Sequence, residues 1–284
     1  MTVPTTVGVL GGGRMGAGIA HAFLLAGARV QLVERDEPSA DAARERVLAS
    51  IATSVKRGDL ADATAATAAL SVGTDVTAFS GAGLVIEAVP EDRDLKVDAL
   101  TRIEAVLAED AVVASNTSSI SIDALAAPLT RPQRFLGLHF FNPVPASKLV
   151  ELVVGSGTED VVVADARGWV AALGKTPVVV RDSPGFASSR LGVMLGLEAI
   201  RMLEEGVADA ADIDAAMELG YRHPMGPLRT TDVVGLDVRL GIAEELAREL
   251  GPRFEPPALL RQLVADGKLG RKSGEGFFMW NEER

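Results

Sequence analysis

The sequence of 284 residues contains no cysteine, one tyrosine, two tryptophans and only three histidines. The absence of cysteine excludes disulfides, thiolate metal sites and cysteine nucleophiles. No hydrophobic run approaches the roughly 18 residues that a membrane-spanning helix needs. The N-terminus also shows no basic segment followed by a hydrophobic one. We therefore expect a soluble, cytoplasmic protein, and we predict neither membrane association nor a metal site.

Positive charge is scarce as well. The chain has 28 lysines and arginines against 39 acidic residues, which gives a net charge of −11 at pH 7. This excess of negative charge argues against a nucleic-acid partner. An anionic ligand would have to be held by local cations or by backbone N–H groups. With 48% hydrophobic residues, the chain can bury one large core or two smaller ones.

The first 180 or so residues alternate short β-rich runs with helical stretches rich in alanine. This alternation favours an α/β fold, a Rossmann-type doubly wound sheet that is mostly parallel and covered by helices on both faces. Because a short proline-containing loop joins the runs around His139 and Glu151, we expect those two strands to be antiparallel. The strand-like runs are 7–10, 29–33, 84–88, 112–115, 135–141, 151–154 and 176–181.

The pattern changes after Asp182-Ser-Pro-Gly185, where helical signals replace strand signals. We therefore predict a nucleotide-binding domain over residues 1–183 and an all-α C-terminal domain over 184–284. The first helix of the second domain is hydrophobic on nearly all sides, so its own domain or a partner subunit should bury it. Gly192 and Gly196 would let another backbone approach that helix. The expected helices of this domain are 186–205, 209–219, 227–249 and 257–266.

A glycine-rich turn follows the first predicted strand and opens the first predicted helix. Its residues are Gly11, Gly12, Gly13, Arg14, Met15 and Gly16. In this context the glycines of a G-x-G-x-x-G pattern allow a tight turn and the close approach of a pyrophosphate. The second strand ends at Glu34, where an acid can bind an adenosine ribose and repel a 2′-phosphate. The turn therefore predicts NAD, although Arg35 leaves NADP open and a glycine turn beside a solvated glutamate is the simpler alternative.

Two polar segments follow later strands. Glu87-Ala-Val-Pro-Glu91 ends the third strand-like run, and Ser115-Asn-Thr-Ser-Ser119 ends the fourth. Ligands bind at the carboxyl edge of such sheets. Both segments also suit the start of a helix, where acids and small polar residues act as caps. The residue pattern alone does not decide between these two interpretations.

His139 and Glu151 stand twelve residues apart on two hydrophobic strand-like runs. A carboxylate buried in such a run is costly unless a partner pairs with it. An imidazole beside a glutamate keeps one tautomer and becomes a better base. The pair therefore predicts a general base that removes a proton from an alcohol. The alternative is a core histidine with satisfied hydrogen bonds and no catalytic role.

Taken together, these motifs resemble the L-3-hydroxyacyl-CoA dehydrogenase family in its short, single-function bacterial form, over nearly the whole chain. The resemblance implies an NAD-dependent oxidoreductase, a homodimer, that interconverts (3S)-3-hydroxyacyl-CoA, such as 3-hydroxybutyryl-CoA, and 3-oxoacyl-CoA. The other segments that carry it are His139-Phe-Phe-Asn-Pro143, Asp182-Ser-Pro-Gly-Phe186, Pro224-Met-Gly-Pro227 and Gly270-Arg-Lys-Ser-Gly-Glu-Gly-Phe277.

The resemblance also implies a role for individual residues. His139 would be the general base, Glu151 would orient it, and Ser118 would hydrogen-bond the 3-hydroxyl group of the substrate. NAD contacts are implied for the glycine turn and for Glu34, Glu91, Lys96, Ser118 and Asn142. Contacts with the phosphates of coenzyme A are implied for Ser50, Lys56 and Arg57.

One position departs from the family pattern. Where the family usually has an asparagine after Pro-Gly-Phe, this chain has Ser189. The asparagine is associated with the oxygens of the substrate and with the histidine, and serine is shorter and has no amide. Losing one positioned donor can cost on the order of a hundredfold in turnover. Two alternatives therefore stay open: a dehydrogenase of a non-CoA 3-hydroxy acid or sugar acid, and a non-catalytic NAD-binding protein.

Overall fold

The structure, a computed structural model, describes residues 2–280. The chain divides into two compact units between Ser183 and Pro184. Each unit has a hydrophobic core of its own. None of the helices in the described range is long and hydrophobic enough to cross a membrane.

The first unit is built on one eight-stranded sheet with the strand order β3-β2-β1-β4-β5-β6-β7-β8. All pairs from β3 to β6 are parallel, β6 and β7 are antiparallel, and β7 and β8 are parallel again. The predicted Rossmann-type sheet and its antiparallel pair are thus confirmed. The strands are β1 (Thr6–Leu10), β2 (Arg29–Val33), β3 (Leu70–Gly73), β4 (Leu84–Glu87), β5 (Val112–Ser115), β6 (Phe135–Phe140), β7 (Leu149–Val154) and β8 (Thr176–Arg181).

The chain runs outward from β1 through β2 to β3 and then returns to start β4 on the other side of β1. This reversal creates a switch point between β1 and β4, and open α/β sheets bind ligands at the carboxyl ends of the strands beside such a point. The glycine turn follows β1 directly. The order of the strands therefore places the predicted nucleotide site at the switch point.

Six helices cover the sheet, and side-chain caps explain where two of the longest begin. Asp36 accepts a hydrogen bond from the N–H of Ser39 at 2.8 Å, and Asp92 accepts one from the N–H of Leu95 at 2.9 Å. Such caps satisfy N–H groups that the first turn of a helix leaves open. The helices are α1 (Arg14–Leu25), α2 (Glu37–Arg57), α3 (Thr64–Ala68), α4 (Arg93–Val106), α5 (Ile122–Ala126) and α6 (Asp160–Ala172).

The second unit is helical, as predicted, but one expected helix is divided. Residues 227–249 form two helices rather than one, because Gly235 adopts a φ of +105° and ends the first of them. A Cβ built on Gly192 or Gly196 would meet, outside α7 itself, side-chain atoms of Thr231 and Arg239 within 4 Å, not another backbone. The helices are α7 (Ser188–Glu204), α8 (Ala210–Tyr221), α9 (Pro227–Val234), α10 (Leu236–Leu250) and α11 (Ala258–Ala265).

Candidate active site

The turn between β1 and α1 requires glycine at its inner positions. Gly11 has a φ of +95°, and a Cβ there would lie 2.8 Å from the carbonyl oxygen of Ala88. A Cβ on Gly16 would lie 1.8 Å from the carbonyl oxygen of Gly11. At Gly13, in contrast, a Cβ would meet nothing within 4 Å. The turn is therefore tightly fixed on its inner side, while its outer side is open to a ligand.

The N-terminus of α1 is suited to a dinucleotide. Gly13 is the N-cap, and within the described chain no side chain caps the helix and no acid lies in its first turn. The carboxylate of Glu34 accepts a hydrogen bond from the N–H of Gly12 at 2.6 Å. Backbone N–H groups and the positive helix end thus fit a pyrophosphate, and Glu34 fits a ribose rather than a 2′-phosphate. These residues fit NAD, and the individual contacts of Arg14 and Met15 stay predictions.

A buried lysine lies close to the carboxyl end of β4. The side chain of Lys96 is 1% exposed, and its Nζ lies 2.8 Å from Glu87 Oε1, 3.1 Å from the carbonyl oxygen of Val89 and 3.2 Å from Glu91 Oε2. An ammonium group has three N–H donors, and here each has an acceptor. Lys96 therefore holds the two glutamates in position, and its predicted contact with NAD stays untested.

The pKa values of the two glutamates beside Lys96 are shifted in opposite directions. Burial raises the pKa of Glu87, although Lys96 opposes the shift. Burial also tends to raise the pKa of Glu91, but Lys96 and the hydrogen bonds from the loop after β5 outweigh it, so its pKa lies below the ordinary value. Glu91 therefore stays ionised further into the acidic range than an exposed glutamate does.

Glu91 also organises the loop that follows β5. Its Oε1 accepts hydrogen bonds from the N–H groups of Ser118 and Ser119 at 2.8 and 3.1 Å. The hydroxyl groups of Thr117, Ser118 and Ser119 donate to the same oxygen at 2.7, 3.1 and 3.2 Å. Glu91 thereby fixes Ser118 at the carboxyl edge of the sheet. The hydroxyl of Ser118 has to rotate away from Glu91 before it can donate to a substrate oxygen.

The predicted histidine and glutamate face each other across β6 and β7. His139 Nδ1 lies 2.9 Å from Glu151 Oε2, and the two residues are 6% and 1% exposed. Because a carboxylate only accepts hydrogen bonds, Nδ1 carries the hydrogen and Nε2 is the basic nitrogen. The ring of Phe141 packs against the imidazole, with 4.3 Å between the two ring centroids. Asn116 Oδ1 accepts a hydrogen bond from the N–H of Phe140 at 2.9 Å, which ties β6 to the loop after β5.

Two further predicted residues lie in different parts of the chain. Asn142 is exposed just after β6, and Ser189 lies in the first turn of α7, in the second unit. The contact of Asn142 with NAD and that of Ser189 with the substrate stay predictions. No group of three histidine or acidic side chains within residues 2–280 is arranged to hold a metal ion.

A separate cleft of about 670 Å³ lies beside α2. Ser50 and Arg57, two of the predicted coenzyme A residues, line this cleft, whereas Lys56 does not. Lys148 and Lys175 line it as well, and sequence reasoning missed both. They precede β7 and β8 respectively, and no local motif marks them. Only the folded sheet brings these cations to the same cleft as Arg57.

Two features at the carboxyl edge of the sheet suit the two halves of an alcohol oxidation. The turn at the switch point suits the dinucleotide that carries hydride, and the histidine near the carboxyl end of β6 suits the transfer of a proton. The protein is therefore an NAD-dependent oxidoreductase of the Rossmann type.

Comparisons with known proteins define its family. Residues 6–183 match the 3-hydroxyacyl-CoA dehydrogenase NAD binding domain, and residues 185–280 match the C-terminal domain of the same family. The chain is 43% identical over 279 residues to the 3-hydroxybutyryl-CoA dehydrogenase of Mycobacterium tuberculosis, which covers 96% of this chain and 98% of that protein.

Two further relatives agree with this assignment. Human mitochondrial hydroxyacyl-coenzyme A dehydrogenase is 40% identical over 286 residues, covering 96% of this chain and 90% of that protein. The crystal structure of (S)-3-hydroxybutyryl-CoA dehydrogenase from Ralstonia eutropha has a TM-score of 0.93 at 40% identity, covering 98% of this chain and 100% of that one. The chain belongs to the 3-hydroxyacyl-CoA dehydrogenase family, which confirms the resemblance of its motifs.

The substitution Glu91→Gln tests the role of Glu91 in the loop after β5. We expect the free energy of unfolding at pH 7 to fall by about 0.5–1.5 kcal/mol, because Lys96 and the donors of the loop lose a charged acceptor, while water reaches the side chain of Glu91, which is 37% exposed. The pKa of Glu91 is lowered from 4.5 in the folded protein, so its contribution is complete above that pH and is lost as the pH falls through the folded value. Urea unfolding of both proteins at pH 7 and at acidic pH measures the difference.

The matched control is Glu45→Gln, on the exposed side of α2, which should change stability by no more than about 0.5 kcal/mol. A destabilisation by Glu91→Gln that stayed the same across this pH range would contradict the role of its ionised carboxylate.

Proposed function

We propose that the protein interconverts (3S)-3-hydroxyacyl-CoA and 3-oxoacyl-CoA, with 3-hydroxybutyryl-CoA among its substrates. The observation that carries this proposal is the buried pair of His139 and Glu151, joined at 2.9 Å, in a fold whose glycine turn suits NAD. When bound, NAD⁺ accepts the hydride that leaves C3 of the substrate.

His139 performs the proton transfer in this mechanism. Its Nε2 takes the proton of the 3-hydroxyl group while the C3–H bond breaks and the C3–O bond becomes a carbonyl. Glu151 keeps the Nδ1–H group directed towards itself, and its negative charge stabilises the imidazolium that forms. In the reverse direction the imidazolium returns this proton to the carbonyl oxygen.

Ser118 and Ser189 are the proposed partners of the substrate oxygens. Ser118 is held at the carboxyl edge of the sheet through the donors that converge on Glu91. A hydroxyl that donates to the developing alkoxide lowers the barrier only if it is already in position. Glu91 fixes the backbone of Ser118 at this edge, from which the hydroxyl turns to the substrate by rotation of its side chain, while Ser189 depends on the helix that carries it.

The substitution His139→Gln tests the base. We expect kcat to fall by about 10²- to 10⁴-fold, the usual contribution of a positioned general base, while the dissociation constant for NADH changes little. Oxidation of NADH with acetoacetyl-CoA measures turnover, and NADH fluorescence measures binding. The control is His223→Gln, which lies in the loop between α8 and α9 and should leave both values unchanged. Turnover that survived in His139→Gln would refute the assigned base.

The cleft beside α2 is the proposed site for the phosphates of coenzyme A. Arg57, Lys148 and Lys175 concentrate positive charge there, in a chain whose net charge is −11. An acidic protein that binds a polyanion needs such a local cluster, because its overall field repels the ligand. Ser50 adds a hydroxyl to the same wall.

The substitution Arg57→Ala tests this site. We expect the KM for acetoacetyl-CoA to rise by about tenfold, because the substrate loses the binding free energy of about one charge-assisted hydrogen bond. We expect little change in kcat. The matched control is Lys56→Ala, which removes a neighbouring cation that does not line the cleft. The acetoacetyl thioester of N-acetylcysteamine lacks the phosphates, so Arg57→Ala should not affect its KM. Equal effects of both substitutions, or of one substitution on both thioesters, would contradict the assignment.

We propose that the enzyme acts in the cytoplasm. We also propose that it is a homodimer whose two subunits meet through the second unit. Large hydrophobic side chains are exposed on this unit, and such surfaces mark association sites. They are Leu191, Leu219, Tyr221, Val234 and Val238.

Light scattering should therefore give a molar mass of about twice 29.6 kDa. Leu219→Asp should lower this mass, whereas Val161→Asp, at an exposed valine of the first unit, should not. A mass of one chain at all concentrations would refute the dimer.

A further inference from the structure

The loop that joins β6 to β7 is held by a lysine from another part of the first unit. Lys175 lies directly before β8, and its Nζ donates hydrogen bonds to the carbonyl oxygens of Val144 and Ser147 at 2.5 and 2.6 Å. Within the loop, the N–H groups of Ala146 and Ser147 both donate to the carbonyl oxygen of Pro143 at 3.0 Å. The two carbonyl groups that Lys175 binds therefore belong to one compact turn, which a single ammonium group ties to the start of β8.

This loop also contacts the parts of the first unit that carry the proposed reaction. It begins directly after Asn142, a proposed contact of NAD, and it connects the strand of His139 with the strand of Glu151. Val144 is buried and packs against α1, where a Cβ on Gly18 would lie 2.9 Å from the Cβ of Val144. A displacement of the loop would therefore disturb both the proposed proton-transfer pair and the helix whose N-terminus suits the dinucleotide.

Lys175 belongs to the cleft beside α2 as well. It lines this cleft together with Lys148 and Arg57. Burial lowers the pKa of the Lys175 ammonium group, and the charge of Lys148 lowers it further, with no acidic group opposing the shift. The positive charge of Lys175 is thus poorly balanced by its surroundings. An anion in the cleft would favour the charged form and offset the repulsion from Lys148.

One N–H group of Lys175 is left for such an anion. An ammonium group has three donors, and the carbonyl groups of Val144 and Ser147 accept from two of them. A hydrogen bond between an ammonium group and a phosphate is roughly twice as strong as one between neutral groups. A phosphate on the third donor would therefore restrain the ammonium group and, through its other two donors, the loop between β6 and β7.

We propose that Lys175 is a positioning residue that couples the phosphates of the bound thioester to the loop between β6 and β7, so that occupation of the cleft raises turnover as well as affinity. This inference rests on the proposed function, which assigns the cleft to coenzyme A. Binding energy from a part of the substrate that does not react can be used to orient the groups that do. In this arrangement Arg57 contributes mainly to affinity, whereas Lys175 contributes mainly to turnover.

The experiment separates the phosphates from the reacting thioester. The full enzyme reduces the acetoacetyl thioester of N-acetylcysteamine with NADH, without and with saturating adenosine 3′,5′-bisphosphate, which supplies the phosphates on a separate molecule. We expect the nucleotide to raise the kcat of the wild-type enzyme by about tenfold, the fold-change of one charge-assisted hydrogen bond. This activation should be lost in Lys175→Met and partly retained in Lys175→Arg. Arg167→Met is the control, because it removes an exposed cation of α6 that does not line the cleft, and it should retain the full activation.

Turnover of the complete substrate gives a second measurement. We expect Lys175→Met to lower the kcat for acetoacetyl-CoA about tenfold more than the kcat for the truncated thioester without nucleotide. Equal losses on both thioesters would indicate a purely structural lysine, and a raised KM for acetoacetyl-CoA with unchanged kcat would indicate a lysine that only binds phosphate. Either result, or a wild-type enzyme that the nucleotide does not activate, would overturn the inference and leave the proposed function standing. Failure of the wild-type enzyme to reduce either thioester would refute the proposed function and this inference with it.

Discussion

Glu151 faces His139 because β6 and β7 pair in a single antiparallel register, in which these two residues stand directly opposite each other. Side chains alternate between the faces of a strand, so a shift of one residue would move the imidazole away from the carboxylate. Glu151 is almost completely buried, and an unpaired carboxylate at that depth would oppose folding. The correct register is therefore also the one that forms the proposed proton-transfer pair, and the sheet cannot settle in another register without burying a charge alone.

At the switch point, too, a buried charge needs partners, and the pairing fixes the geometry of the site. Lys96 is buried behind β4, and three acceptors, two of them carboxylates, satisfy its donors. One of these carboxylates, Glu91, then collects the donors of the loop that carries Ser118. A buried ion pair contributes little net stability but is costly to break. Its effect here is geometric, because it connects the loop after β4 with the loop after β5 and fixes both at one edge of the sheet.

Features that a short stretch of residues marks by itself could be predicted from the sequence. The glycine turn needs residues without a Cβ at fixed spacing, and a lone histidine and glutamate stand out on hydrophobic strands. β3 was missed because its four residues, Leu70–Gly73, contain a serine and a glycine and show no strand pattern. The break at Gly235 was missed because the flanking residues are helical in pattern, and the positive φ that ends α9 at this glycine appears only in the folded chain. The lysines of the cleft beside α2 meet only after folding.

Arg239 is the kind of feature that no sequence pattern predicts. An arginine on an amphipathic helix is normally solvated, and its burial depends on which side chains surround it in three dimensions. On α7 the shorter Ser189 and the two glycines leave one face without bulky side chains, and the guanidinium of α10 extends along that face. The surroundings of Arg239 are thus set by the helices of the second unit, whereas the His139–Glu151 pair depends on the register of two strands in the first unit.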